Sequence, residues 1–342
     1  MEPAKQTDAE LKTDLNKMLD FWIGKLECNG DAVKQHEFKR KFIRKLRNAD
    51  IAIETDTAND QHYQVPTKYF KEILGKRMKY SSCVWPDNSN SLEEAEDYSL
   101  SIICKRAQVE DGQTIMDLGC GWGATGLYIC EKYPNCKVVF VSNSETQHDY
   151  IIDEAKRLGF DDRIEHIKAN ANTFDTEKKF DRVISIEMFE HMKNYDRLLA
   201  KISSWLKPDG LLLTQILCHL RFPYNFDASK DKDTEWMARN FFAGGTMPSA
   251  DLFLYFQDDM IVTDQWLVNG KDYSKTLYTW LERLDAKREK VHEIFIEFYG
   301  ADKADEMLAN WRMFFIYCGE VFRYRDGNDW LTAFHLFKKR NC

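Results

Sequence analysis

The sequence predicts an α/β fold in which a mostly parallel sheet is covered by helices on both faces. Three observations carry this. From residue 112 short apolar runs alternate with segments of helical period, and the breakers Pro134, Gly159 and Pro208-Asp209-Gly210 fall at the junctions. The first apolar run also ends in closely spaced glycines. Alternation of this kind builds a sheet whose ligands bind beyond the carboxyl ends of the strands, where strand order reverses.

Residues 8–50 read as helical, with Leu11, Leu15, Met18, Leu19 and Trp22, then Phe38, Phe42, Ile43 and Leu46, at three- and four-residue steps. Thr114–Asp117 is expected as the first strand, then a helix over Gly126–Lys132, the strand Val138–Ser142 and the helix Glu145–Leu158. The strand Ile164–Lys168, the strand Arg182–Glu187, the helix Asp196–Trp205 and the strand Gly210–Leu217 complete the alternation. Residues 218–255, rich in Pro, Gly and aromatics, read as an inserted lid. A strand over Ile261–Val268, a helical insertion over about 272–325 and a last strand, Trp330–Phe337, end the chain. The expected division is an N-terminal helical cap, 1–105, and a main domain, 106–342.

Bulk properties bound the function. The 342 residues are 44% hydrophobic, enough for a large core, yet no run of 18 apolar residues exists to span a membrane. The start, MEPAKQTDAELKTDLNK, lacks the apolar core of a secretory signal. A net charge of −8 argues against a nucleic-acid partner. Nine cysteines without a C-x-x-C pair are the usage of reduced thiols, which places the protein in the cytoplasm and argues against a disulfide framework or a zinc site. The basic segment KQHEFKRKFIRKLRN is expected to pack by its Phe/Ile/Leu stripe with its cations in solvent, without stable membrane association.

Two motifs carry chemistry. Asp117-Leu118-Gly119-Cys120-Gly121-Trp122-Gly123 runs from a strand into a helix. Glycines there let the chain turn tightly and a ligand approach the backbone. The spacing is not that of the dinucleotide fingerprint, and no Lys comes after it to make a P-loop. An acid at the strand end with no phosphate cradle suits S-adenosylmethionine, which has a cationic end and no phosphate. The next strand ends Ser142-Asn143-Ser144, with Gln147 just beyond, so amides rather than an acid would hold ribose hydroxyls.

The second motif, Ile186-Glu187-Met188-Phe189-Glu190-His191-Met192, ends the fourth strand at the mouth of the cleft. On a helical turn, Glu190 and His191 would share a face with Glu187. Two carboxyls and an imidazole in one place suit proton transfer. His191 titrates near neutrality when unperturbed and could free an amine lone pair, with a carboxylate beside it to hold the imidazolium. Transfer of the methyl would then be an in-line displacement aided by alignment.

Taken together, HYQVPTKYF (62–70), MKYSSCVW (78–85), DLGCGWG (117–123), SNSETQ (142–147), SIEMFEHMKNY (185–195), FFAGGTMPSADLFLYFQDD (241–259) and DQWLVNGKDYSKT (264–276) resemble the coclaurine N-methyltransferase-like family. These are plant alkaloid enzymes within the wider cyclopropane-fatty-acid-synthase-like group. The resemblance covers roughly residues 50–340 and implies a Rossmann-like class I methyltransferase sheet. It also implies methylation of a small, aromatic amine by S-adenosylmethionine, yielding S-adenosylhomocysteine, with no metal. By motif, Ser81, Asp117, Gly119, Gly121, Asn143, Gln147, Asn170 and Ala171 would bind the cofactor, and Glu187, Glu190 and His191 would form the catalytic turn. Asn170 stands where relatives have Asp, and Gln64 where alkaloid relatives tend to have Glu. Ser82 and Gln215 stand where the synthases carry a cysteine and a histidine of their bicarbonate site, which weakens a lipid-modifying reading.

For the acceptor pocket the sequence offers Tyr63, Gln64, Phe222, Phe241, Phe256, Trp311 and Phe315, since aromatic faces suit both cations and rings. Cys318 is expected in core or pocket wall, and Gly244-Gly245-Thr246-Met247-Pro248 as a lid turn. Paired helices leave a homodimer open. Two rival readings are a cyclopropane-synthase-like lipid methyltransferase and a non-catalytic S-adenosylmethionine-binding protein.

Overall fold

The computed structural model describes residues 7–53, 65–89, 91–226 and 235–340. Its sheet holds β1 (Thr114–Leu118), β2 (Lys137–Ser142), β3 (Ile164–Lys168), β4 (Phe180–Ile186) and β5 (Leu206–His219). Beyond a two-stranded ribbon, β6 (Tyr224–Asn225) and β7 (Thr246–Met247), come β8 (Met260–Val268) and β9 (Trp330–Lys339). The seven-stranded order is β3-β2-β1-β4-β5-β9-β8, with β9 antiparallel to both neighbours and the other pairs parallel. Strand order reverses between β1 and β4, so the ligand crevice belongs at their carboxyl ends.

The strands alternate between two apolar layers, as the pleat requires. Met116, Val139 and Val183 face a layer shared with Leu198 and Leu199, while Ile115, Val138 and Ile184 face one shared with Leu127 and Ile151. Among the described residues four α-helices precede the sheet: α1 (Asp8–Leu26), α2 (Ala32–Arg47), α3 (Thr67–Ile73) and α4 (Leu92–Arg106). The helices α5 (Ala124–Lys132), α6 (Glu145–Leu158) and α7 (Tyr195–Trp205) alternate with its strands. The short α8 (Glu235–Asn240) lies in the inserted segment, and α9 (Gly270–Ala286), α10 (Arg288–Tyr299) and α11 (Ala301–Gly327) form the helical insertion. Helix α4 was not among the expected elements, although Ser91 caps it through the Glu94 amide.

The N-terminal helices and the helical insertion share one core. Leu11, Leu15, Leu19 and Trp22 of α1 join Trp280, Leu308, Trp311 and Phe315. A reciprocal Thr7–Glu10 capping box starts α1. Helix α2 buries Phe42, Ile43 and Leu46 against α7, while Phe38, counted in the same stripe, is 39% exposed at the helix's free face. Lys39 pairs with Asp251 at 2.8 Å and Arg47 with Asp196 at 3.0 Å, so part of the basic face is tied to the protein itself. Every described cysteine is a free thiol, and no described helix is long and apolar enough to cross a membrane.

Leu15 is fully buried between α1 and the insertion. Leu15→Ala should cost about 2–5 kcal/mol in urea unfolding. A cost below about 1 kcal/mol would mean that α1 does not belong to this core.

Candidate active site

A cavity opens at the carboxyl ends of β1, β4 and β5, lined by Asp117, Gly119 and Gly121 from the first, Glu187, Glu190 and His191 after the second, and Leu217 from the third. Met18 and Trp22 of α1, Ser81 and Gln147 close two sides, and Phe314, Tyr317 and Cys318 of α11 close another. A second, apolar lobe shares Gly119, Gly121, Gln147 and His191 with the first. It is bounded by Asn143, Ala169, Ala171, Phe174 and Ile53.

The glycine loop is shaped for close approach. Gly119 has φ +75°, and a Cβ there would stand 2.5 Å from Cγ of Met188, so no larger residue fits beneath the acid turn. Gly121, also at positive φ, faces open space. Asp117 is buried, and its Oδ2 accepts the Gly126 amide at 3.0 Å. Burial pushes its carboxyl up to about 7. Gln147 is 2% exposed, with Oε1 buried and without a hydrogen-bond partner. A buried orphan acceptor beside a cavity calls for a donor from a ligand.

The acid turn differs from the helical turn expected. Strand β4 ends at Ile186, Glu187 adopts a left-handed φ of 51°, and only Phe189–His191 form a 3-10 turn. The three side chains meet in the cavity because the chain reverses at Glu187, not through helical spacing. Oε1 of Glu187 accepts the Ser82 amide at 2.9 Å, the Ser82 hydroxyl at 2.5 Å and the Gln215 side-chain amide at 2.9 Å. Glu190 is buried. Its Oε1 accepts the Leu217 amide at 2.6 Å while Oε2 has no partner, and burial reinforced by Glu187 raises its carboxyl well above the usual range. Phe242 meets the His191 ring edge-on at 4.8 Å.

Of the other expected residues, Ser81 lines the cavity, its hydroxyl accepting from the buried Lys79 ammonium at 2.7 Å. Asn143 and Ala171 line the apolar lobe, whereas Asn170 accepts the Asn172 amide at 2.9 Å within its own turn and is not part of that wall. Tyr63 and Gln64 lie outside the described residues. Phe222, Phe241, Phe256, Trp311 and Phe315 are not in the cavity wall: their rings are consumed in packing. Phe222 lies against His219, Phe256 against Tyr195 on the far side of the sheet, and Phe241 and Phe315 against Phe314 and Trp311.

The wall instead takes Met18, Tyr224, Phe226, Phe242, Tyr273 and Phe314. Nothing in the sequence spacing distinguishes these aromatics from their buried neighbours. Lys193, only 3% exposed, ties the lid turn to the acid turn through Asn225, the Gly245 carbonyl and Thr246, at 2.9, 3.2 and 2.5 Å. No cluster of three or more His, Cys, Asp or Glu among the described residues could hold a metal ion.

These residues fit S-adenosylmethionine. Asp117 offers an acid to a cationic end, the glycines give it room, and the orphan carbonyl of Gln147 awaits a hydroxyl or amino donor. Comparison with known proteins agrees. The model of the mycolic acid cyclopropane synthetase family matches residues 51–330. (S)-Coclaurine N-methyltransferase of Thalictrum flavum subsp. glaucum is 39% identical over 299 residues, covering 86% of this chain and 82% of that protein. Pavine N-methyltransferase of the same plant is 36% identical over 302 residues, covering 87% and 84%. A crystal structure of coclaurine N-methyltransferase bound to N-methylheliamine and SAH superposes with a TM-score of 0.94 at 35% identity, covering 99% of this chain and 97% of that one.

Two outcomes test the loop. Because Asp117 is neutral below about 7 and ionised above it, affinity for the sulfonium cofactor should rise as pH goes from 6 to 8. Asp117→Asn should bind about tenfold more weakly at pH 8, with a flat profile. An unchanged profile in the variant, measured by calorimetry, would remove Asp117 from that role. Gly119→Ala should lower cofactor affinity and turnover together, with partial recovery in Gly119→Ala/Met188→Gly, which removes both Cγ and Cβ of Met188 from the added methyl while the strain at positive φ remains.

Proposed function

The chain belongs to the mycolic acid cyclopropane synthetase family, on the branch of the coclaurine N-methyltransferases, and is an S-adenosylmethionine-dependent N-methyltransferase; from that premise we propose that it methylates a small aromatic amine of the benzylisoquinoline or phenylalkylamine type. The observation that carries the acceptor class is the wall of the cavity, where Tyr273, Phe314 and Tyr317 line the same space as Glu187, Glu190 and His191. Ring faces accept both an aromatic skeleton and an ammonium, which neighbouring carboxyls attract.

Bound S-adenosylmethionine supplies an electrophilic methyl group on sulfur. The chain's own residues prepare the nucleophile. An aliphatic ammonium has a pKa of about 10 and must lose a proton before its lone pair is available. His191 takes that proton, Glu187 attracts the ammonium and holds the imidazolium that forms, and Glu190 is the member of the pair that burial pushes towards the neutral form. Asp117, Gly119, Gly121, Ser81, Asn143, Gln147 and Ala171 hold the cofactor. Asn170, bonded within its own turn, supports that lobe without facing it. Alignment by the aromatic wall and exclusion of water by the lid turn complete the chain's contribution.

On the same reading, residues 1–105 are a helical cap and 106–342 the catalytic domain with its two insertions, working in the cytoplasm with its thiols reduced.

The decisive assay is transfer of labelled methyl to two panels side by side: phenylethylamines, tetrahydroisoquinolines and aliphatic amines in one, unsaturated phospholipid vesicles in the other. Label on aromatic amines is the expected result; label on lipid alone would overturn the acceptor class. His191→Ala and Glu187→Ala should each lower kcat by about 100-fold or more while changing cofactor affinity little. Undiminished turnover in either variant would remove that residue from proton transfer.

A further inference from the structure

We propose that Ser82 and Gln215 are positioning residues, and that together they form a preorganised anion cradle that fixes the carboxyl of Glu187 in the site. The inference rests on the amine-methylation reading for its catalytic consequence, though not for the cradle itself.

Three donors from two separate parts of the chain converge on one oxygen. The Ser82 amide, the Ser82 hydroxyl and the Gln215 side-chain amide all reach Oε1 of Glu187, and none of these bonds uses Oε2. The donors also hold one another. The Gln215 amide reaches the Ser82 hydroxyl at 2.9 Å, and Thr332 of β9 lies 3.1 Å from that hydroxyl. Ser82 and Gln215 are 2% and 1% exposed, so water does not compete for these bonds.

The backbone does not hold Glu187 by itself. A non-glycine residue at φ 51° is strained and keeps that conformation only where its surroundings impose it. Gln215 is paired in register with Ile186, and its carbonyl accepts the Glu187 amide at 2.8 Å. One residue of β5 therefore grips Glu187 by both backbone and side chain.

The Ser82 half of the cradle is anchored without Glu187. Lys79, 2% exposed, donates to the Ser82 carbonyl at 2.5 Å and to Ser81. The preceding residues are fixed by Glu96, which accepts the amides of Gly75 and Arg77 at 3.0 and 2.9 Å. Removing the Glu187 side chain should therefore leave the donors in place, aimed at an empty, carboxylate-sized space.

Glu187→Gly makes that space and relieves the left-handed strain in the same change. Sodium formate should raise its melting temperature saturably beyond a matched chloride control. It should also restore methyl transfer to an amine at least about tenfold over the unrescued variant. Adding Ser82→Ala, which leaves the Ser82 amide, or Gln215→Leu should clearly weaken both effects. In the otherwise intact chain, Ser82→Ala and Gln215→Leu should each lower kcat about tenfold, with amine KM and cofactor affinity within about twofold.

A Glu187→Gly protein without a formate-specific shift, a shift undiminished by both Ser82→Ala and Gln215→Leu, or single variants with undiminished kcat would overturn the proposal. If Glu187→Gly does not fold, the kcat and KM values of the two single variants decide it. If the unmodified protein methylates no amine, the functional reading fails, and the formate shift still decides the cradle.

Discussion

β1, β4 and β5 lie side by side with their carboxyl ends at one edge of the sheet, and their hydrogen-bonded register sets Asp117 level with Ile184 and Ile186 level with Gln215. The rest of the site depends on that register. It brings the acid of the glycine loop, the acid turn and the Gln215 amide to one rim, and it lays Met188 over the missing side chain of Gly119. The cofactor loop and the turn carrying Glu187, Glu190 and His191 are thus in van der Waals contact, so neither can shift alone. The helical insertion and α1 then have one place to close the cavity, above this rim.

Environment separates the two carboxyls of the turn. Glu187 meets three donors on one oxygen, whereas Glu190, close by in sequence but deeper in the protein, meets one backbone amide and the neighbouring Glu187 carboxyl. Burial and its neighbour push Glu190 towards the neutral form. An amine arriving as a cation therefore meets one acid presented by donors and one whose burial favours the neutral form, a division suited to taking a single proton.

Much of this was legible in the sequence where local chemistry determines it. Each strand from β1 to β5 overlaps an expected run: β1, β2, β4 and β5 carry buried apolar segments, and breakers such as Gly159 and Pro208 mark the junctions, Gly159 setting off the half-exposed edge strand β3. The glycine loop and the acid turn were legible because strand, acid and glycines occur in register. The acceptor wall was not. Phe241 and Phe314 stack at 4.4 Å, yet only Phe314 lines the cavity, and no periodicity separates a ring that faces a ligand from the ring behind it. The left-handed Glu187 was equally hidden. A Glu-x-x-Glu-His pattern reads as a helical turn, and the donors that hold the reversal come from residues 105 positions earlier and 28 later. Long-range hydrogen bonds leave no local trace.

At the centre of the proposed chemistry, a protonated amine is received between the aromatic wall and the acid turn. The position of the amine nitrogen in a crystal of the chain with S-adenosylhomocysteine and a tetrahydroisoquinoline tests this most directly. That nitrogen is expected within hydrogen-bond reach of Glu187 or His191, with the ring against Phe314 or Tyr317 and Oε1 of Glu187 still held by Ser82 and Gln215. A nitrogen lodged elsewhere in the cavity, with the acid turn facing only the cofactor, would contradict it.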